Sequence, residues 1–147
     1  MPIYFYRANE PFGEFSNFSR YGFELDGIFW PTSEHYFQAQ KFNDLSHVTK
    51  IRQAESPRKA AELGRLRSVP LRPDWESVKD DVMRTAVRAK FTTHDDLRKL
   101  LLSTGDEELI ERTTDDYYWG GGDTGEGKNM LGKILMEVRR ELGGPTT

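Results

Sequence analysis

The sequence predicts a single α+β domain in which helices predominate and a small β element stands at the N-terminal end. Three observations carry this. An apolar run and an Asp-Gly hairpin fill the opening stretch, cap-and-stripe helix patterns follow from Pro31 onward, and a length of 147 residues suits one core.

The elements follow in order. Ile3-Tyr4-Phe5-Tyr6 reads as a strand. Gly22 to Trp30 reads as a hairpin, because Asp26-Gly27 accepts the positive φ angles of a type I′ turn between two apolar runs. At Pro31-Thr32-Ser33-Glu34 a capping hydroxyl and an acid precede Tyr36, Phe37 and Gln40 at helical spacing, so a helix starts there. Ser56-Pro57 opens a short helix with proline at its first position, and Gly64 is expected to stop it. Asp74 is expected to cap a longer helix whose stripe is Trp75, Val78, Val82, Ala86 and Ala89, with Lys79, Asp80, Arg84 and Arg88 off it. A further helix is expected over about His94 to Ser103. The last helix, about Lys128 to Leu142, aligns Leu131, Ile134, Leu135, Val138 and Leu142 and ends at Gly143-Gly144. Between these two lies Asp115 to Gly127, an aromatic, glycine-rich loop feeding a helix N-terminus.

Composition excludes several classes. With no cysteine there can be no disulfide scaffold, zinc ribbon, iron–sulfur cluster or thiol catalysis, and a cytoplasmic protein is expected. The opening residues lack the basic start and apolar run of a signal peptide, and no stretch of about 18 apolar residues offers a membrane span. A net charge of −3 argues against a general nucleic-acid coat protein. From Lys50 to Arg72, however, seven basic residues face two acids, Glu55 and Glu62, which suits a small phosphorylated ligand.

Glu34, Gln38 and Lys41 are spaced i, i+4, i+7 and so share one face of a two-turn helix. On a surface that is an ordinary solvated face. Here Glu34 follows a hairpin ending in Trp30-Pro31, on an otherwise aromatic helix, and a buried carboxylate beside a lysine is tuned for acid–base work. His35 reads as a structural hydrogen-bonding residue. With three histidines and no H-E-x-x-H spacing no metal is called for, and no cofactor is expected. Arg65, Arg67 and Arg72 lie in an expected loop and are candidates to fork onto a phosphate. The Asp115–Gly127 loop matches neither a Walker loop nor a Rossmann fingerprint, since Asn129 follows Lys128. Its glycines before a helix start are expected to leave amides pointing outward as a generic anion site, and the loop is expected to close over a ligand with Asp116 and Trp119. Trp75 reads as core in preference to a base-stacking ring.

The chain resembles the YbiA-like family, also called NADAR, over nearly its whole length. The resemblance runs through Gly13-Glu14-Phe15-Ser16-Asn17-Phe18, Asp26-Gly27, Trp30 to Phe42, Gly64-Arg65, Pro70-Leu71-Arg72, Trp75 to Lys79, Val82-Met83-Arg84, Arg88-Ala89-Lys90-Phe91, Leu100-Leu101-Leu102, Tyr118-Trp119-Gly120 and Gly127 to Gly132. It implies the YbiA-like fold and a metal-independent N-glycosidase that hydrolyses the bond between a ribose C1′ and a nitrogen. The implied substrates are phosphorylated aminopyrimidine ribosides of riboflavin synthesis. The alternatives are an ADP-ribosyl hydrolase acting on guanine bases, including those of ADP-ribosylated nucleic acid, and a module that binds ADP-ribose without cleaving it. Functional positions implied by the resemblance are Glu34 and Asp116, Trp75 and Trp119, and Asn17, Lys41 and Lys90. Phe18, Gly120 and Asn129 lie in the same matched stretches and complete the expected contact set. Glu34 and Asp116 can divide the stabilisation of a cationic sugar and the protonation of the departing nitrogen, while Lys41 can instead take an opened ribose as an imine. No membrane and no obligate protein partner are implied.

Overall fold

A computed structural model describes residues 1–143. Its elements are β1 (Ile3–Phe5), a 3-10 turn at Gly13–Phe15, β2 (Phe23–Leu25), β3 (Ile28–Trp30), α1 (Ser33–Ala39), α2 (Leu45–Arg52), α3 (Pro57–Gly64), α4 (Trp75–Thr93), α5 (Asp95–Ser103), β4 (Leu109–Glu111) and α6 (Met130–Glu141). Backbone contacts gather these into two compact units, Arg20–Lys90 on one side and Met1–Ser19 with the chain from Phe91 onward on the other.

In the unit of residues 20–90, β2 and β3 form the expected hairpin, Phe23 opposite Trp30 and Leu25 opposite Ile28. Asp26 and Gly27 both have positive φ, 53° and 79°, as the primed turn requires. Phe23 and Trp30 face inward and meet Ala39, Phe42, Ile51, Ala60 and Ala86 in one core. Burying a large ring there stabilises by about 1.5–3 kcal/mol. Three helices start on side-chain caps: Thr32, Asp44 and Ser56 accept the amides of His35, His47 and Lys59 at 3.1, 3.1 and 3.0 Å. Each such cap contributes about 1 kcal/mol.

Several expectations need correction in this unit. α2 was not anticipated, although Asp44 before Leu45, Val48 and Ile51 carries its signature. α1 ends at Ala39, so Lys41 sits in the turn beyond it rather than on its face. Asp74 gives both carboxylate oxygens to Arg72, at 2.6 and 3.0 Å. Its carbonyl, not its carboxylate, receives the amide of Ser77 at 3.0 Å. On α4 the fully buried positions include Met83, Val87, Lys90 and Phe91, a stripe beside the expected one. Gly64 lies inside α3 and is followed by right-handed Arg65, so it is not a left-handed stop.

The other unit holds a short parallel ladder, β1 on β4, with Ile3 opposite Leu109 and Phe5 opposite Glu111. β4 was not anticipated, because three residues are too few to display alternation. Phe5 packs edge-on against Phe15 at 5.8 Å, and Phe15 against Phe91 at 5.9 Å. α6 packs on β4. Its buried Arg139 donates to Thr104 Oγ1 and the Glu107 carbonyl, at 2.9 and 2.8 Å, which satisfies a cation that burial would otherwise penalise. α6 starts at Met130 because Asn129 takes a left-handed φ of 54°. Of the expected Gly143-Gly144 stop, Gly143 has φ 110° and Gly144 lies outside the described residues.

His35 is fully buried, with its ring between Thr32 Oγ1 (2.7 Å) and the Ala54 carbonyl (3.0 Å). A carbonyl only accepts, so Nε2 carries the proton and Nδ1 accepts from the Thr32 hydroxyl. Burial first, and Arg20 to a smaller degree, hold its pKa below the usual 6.5. A histidine depressed in the folded state stabilises fully above pH 6.5 and loses that contribution as pH falls toward the folded value. Urea melts between pH 7.5 and 5 are therefore expected to show falling stability, and His35→Gln is expected to flatten that slope.

Candidate active site

Glu34 occupies the first turn of α1, where the helix dipole favours a carboxylate, and it is buried. One turn later Gln38 Nε2 donates to Glu34 Oε2 at 2.6 Å. The other end of that amide, Oε1, is buried and has no hydrogen-bond partner among the described residues. An orphaned buried acceptor costs about 1–3 kcal/mol, so its retention calls for a reason. Gln38 fits only because α3 presents Gly64 to it: a Cβ at Gly64 would stand 2.0 Å from Oε1.

Lys41 is held by its backbone. Its amide donates to the Gln38 carbonyl at 3.3 Å and its carbonyl accepts from the Arg72 amide at 2.8 Å, beside the Phe42–Leu71 bridge. That bridge brings the segment after α3 back alongside Lys41, with Arg65 and Arg67 close enough to act on its charge. Burial, opposed by Glu34 and reinforced by Arg67 and Arg65, pulls the Lys41 amine down to about 8. Its Nζ lies 5.5 Å from the centre of the Phe37 ring, and Phe37 packs edge-on against Trp75 at 5.2 Å. Glu34, Gln38, Lys41, Phe37, Trp75, Arg65 and Arg67 thus form one neighbourhood. Sequence reasoning found six of these and missed Phe37, as well as the seat at Gly64, whose spacing to Gln38 is tertiary.

The remaining candidates divide between the two units, with Arg72 and Lys90 in this one. Arg72 forks onto Asp74, so it is a structural ion pair at this surface. Arg67 donates Nη1 to the Gly64 and Leu66 carbonyls at 3.0 and 3.2 Å, which ties one edge of its guanidinium to the backbone. Lys90 is buried on α4. Asn17 is half-buried and Phe18 exposed, after the 3-10 turn of the other unit.

That unit also holds Asp116, Trp119, Gly120 and Asn129. Asp116 Oδ1 accepts the amides of Tyr118 and Trp119 at 3.0 and 2.8 Å, an Asx turn that sets the Trp119 ring edge-on to Tyr118. Asn129 ties β4 to α6, donating to the Leu109 carbonyl at 2.8 Å and accepting the Glu111 amide at 3.0 Å. The expected outward-facing amides are absent at this helix start. Lys128, Met130 and Leu131 donate to the carbonyls of Tyr117, Tyr118 and Trp119, and Asn129 to that of Gly120, at 2.8 to 3.1 Å. Gly122 serves packing, since a Cβ there would meet the Tyr117 ring at 2.2 Å. These backbone bonds tie residues 117–122 to the start of α6, and Asp123 to Glu126 form the exposed tip. Replacing Asp116 by Ala is expected to cost about 1 kcal/mol in urea melts through loss of this turn, whereas Asp116→Asn keeps the acceptor and melts like the parent.

Among the described residues no three or more His, Asp or Glu side chains gather to hold a metal ion, and no helix is long and apolar enough to cross a membrane. A buried carboxylate that acts on an amine of lowered proton affinity, with two arginines and an aromatic pair, supplies the kinds of group that acid–base chemistry draws on. The chain belongs to the NADAR domain family, which matches residues 4–143. It is 54% identical over 140 residues to the N-glycosidase YbiA of Escherichia coli (strain K12), covering 95% of this chain and 88% of that one. The NMR structure of that E. coli protein superposes with a TM-score of 0.90, covering 97% of this chain and 84% of the other. An N-glycosidase of Nostoc punctiforme is 48% identical over 97% of this chain and 93% of its own. A riboflavin biosynthesis protein of Vibrio vulnificus is 45% identical over 96% of this chain, which spans 38% of that longer protein.

Proposed function

We propose that this protein is an N-glycosidase cleaving the C1′–N bond of a phosphorylated ribosyl compound, with an aminopyrimidine riboside phosphate as its substrate. The relatives' names support the reaction, and one longer relative that contains a matching segment is named a riboflavin biosynthesis protein. The observation that carries the reading is the buried Glu34 carboxylate, fixed by Gln38 at 2.6 Å, within electrostatic reach of the Lys41 amine.

The chemistry suits a ribosylamine, whose nitrogen lone pair opens the sugar to an iminium at C1′. Neutral Lys41 adds to C1′, its proton passes through Glu34 to the substrate nitrogen, and the base leaves as a free amine. The sugar then remains as an imine on Lys41. Water adds to C1′, Glu34 takes its proton and passes it to the lysine nitrogen, and expulsion of the lysine amine returns the enzyme and a free ribose phosphate. Arg65 and Arg67 supply positive charge for the phosphate. Asp116 and Trp119 enter this proposal on the family resemblance alone, as second carboxylate and stacking ring.

The test is to incubate the protein separately with an aminopyrimidine riboside phosphate and with ADP-ribosylated guanine. Release of free base and sugar phosphate from the first is expected. Release from the second alone would move the substrate to the ADP-ribosyl class, and release from neither would remove the enzymatic reading.

A further inference from the structure

We propose that Gln38 is a positioning residue for Glu34, seated by Gly64, and that the fold tolerates a buried unpaired acceptor to keep it there. This rests on the reading of Glu34 as the proton carrier of the reaction.

The amide has one productive orientation. Nε2 faces Glu34 Oε2 at 2.6 Å, and a flipped amide would set two oxygens against each other. With Nε2 so engaged, Oε1 is driven against α3 and left without a partner among the described residues. Gln38 is therefore a poor choice for packing alone, since an apolar side chain of similar length would bury no polar atom. What it gains is a charge-assisted donor that fixes the carboxylate in one orientation. Gly64 completes the arrangement. With Oε1 2.0 Å and Cδ 2.7 Å from a Cβ built at that glycine, any side chain there must displace the Gln38 amide. The glycine thus acts through Gln38, from a different helix, on a carboxylate it does not touch.

The test is Gln38→Met, which keeps length and loses the donor, together with Gly64→Ala, which displaces the amide by crowding. For both, kcat is expected to fall on the order of 10- to 100-fold, with KM for the riboside phosphate unchanged. Gln38→Met loses the orphaned acceptor and also the donor to the buried Glu34 carboxylate, two changes of opposite sign for stability, so the kinetics are compared on protein shown to be folded by circular dichroism. A folded Gln38→Met protein with parental kcat would overturn the inference. So would one in which KM rises as far as kcat falls, since Gln38 would then act on substrate binding and not on the carboxylate. Glu34→Gln is measured alongside: if it loses activity while Gln38→Met does not, only the positioning role fails, and if it too stays active, the reading of Glu34 itself fails.

Discussion

Glu34→Gln is expected to lower kcat by on the order of 10² to 10⁴, the range for a group that moves protons in the rate-limiting step. The variant keeps the shape of the side chain and can still meet Gln38 through its amide, so the fold is expected to survive. Position in the first turn of α1, burial and the 2.6 Å contact with Gln38 make the carboxylate fixed before substrate arrives. Such pre-arrangement is what catalysis draws on, because no reorganisation is needed as charge develops. Steady-state assays with circular dichroism as the folding control provide the measurement. A folded variant with near-parental turnover would make Glu34 a structural residue.

Lys41→Arg is expected to be comparably severe, on the order of 10³ or more in kcat, since arginine keeps the charge but cannot add to C1′. The pH profile gives the sign. With its amine near 8, Lys41 is about one tenth neutral at pH 7. A nucleophilic amine makes the rate climb with pH and level off above about 8. An amine needed as a cation would make it fall over the same range. The climbing limb is expected, and Lys41→Arg is expected to abolish it.

Much of this neighbourhood was legible in the sequence because it is local. Thr32 caps α1, Glu34 and Gln38 are one turn apart, and Asp26-Gly27 fixes the hairpin that leads into them. Lys41 does not lie on the helix face that its i+7 spacing from Glu34 suggests: α1 stops at Ala39, and it is the Phe42–Leu71 bridge that brings Arg65 and Arg67 alongside. Such a bridge joins residues far apart in the chain and leaves no periodic trace. For the same reason Gly64 was read as a helix stop, the residue's commonest use near a helix end, when its function is to make room for Gln38. β4 and its pairing with β1 were invisible because three residues against three carry too little pattern. In the glycine-rich loop the composition suggested hinges and free amides. The carbonyls of Tyr117, Tyr118, Trp119 and Gly120 instead consume those amides, a satisfaction of helix-start donors that depends on loop path rather than loop composition.

The most direct measurement of the central claim is borohydride trapping during turnover. The protein is mixed with an aminopyrimidine riboside phosphate, reduced with sodium borohydride, digested and analysed by mass spectrometry. The account predicts a reduced ribosyl phosphate carried on Lys41, with the base already released, and no such adduct in the Lys41→Arg protein. Continued release of base with Lys41 unmodified throughout would contradict it.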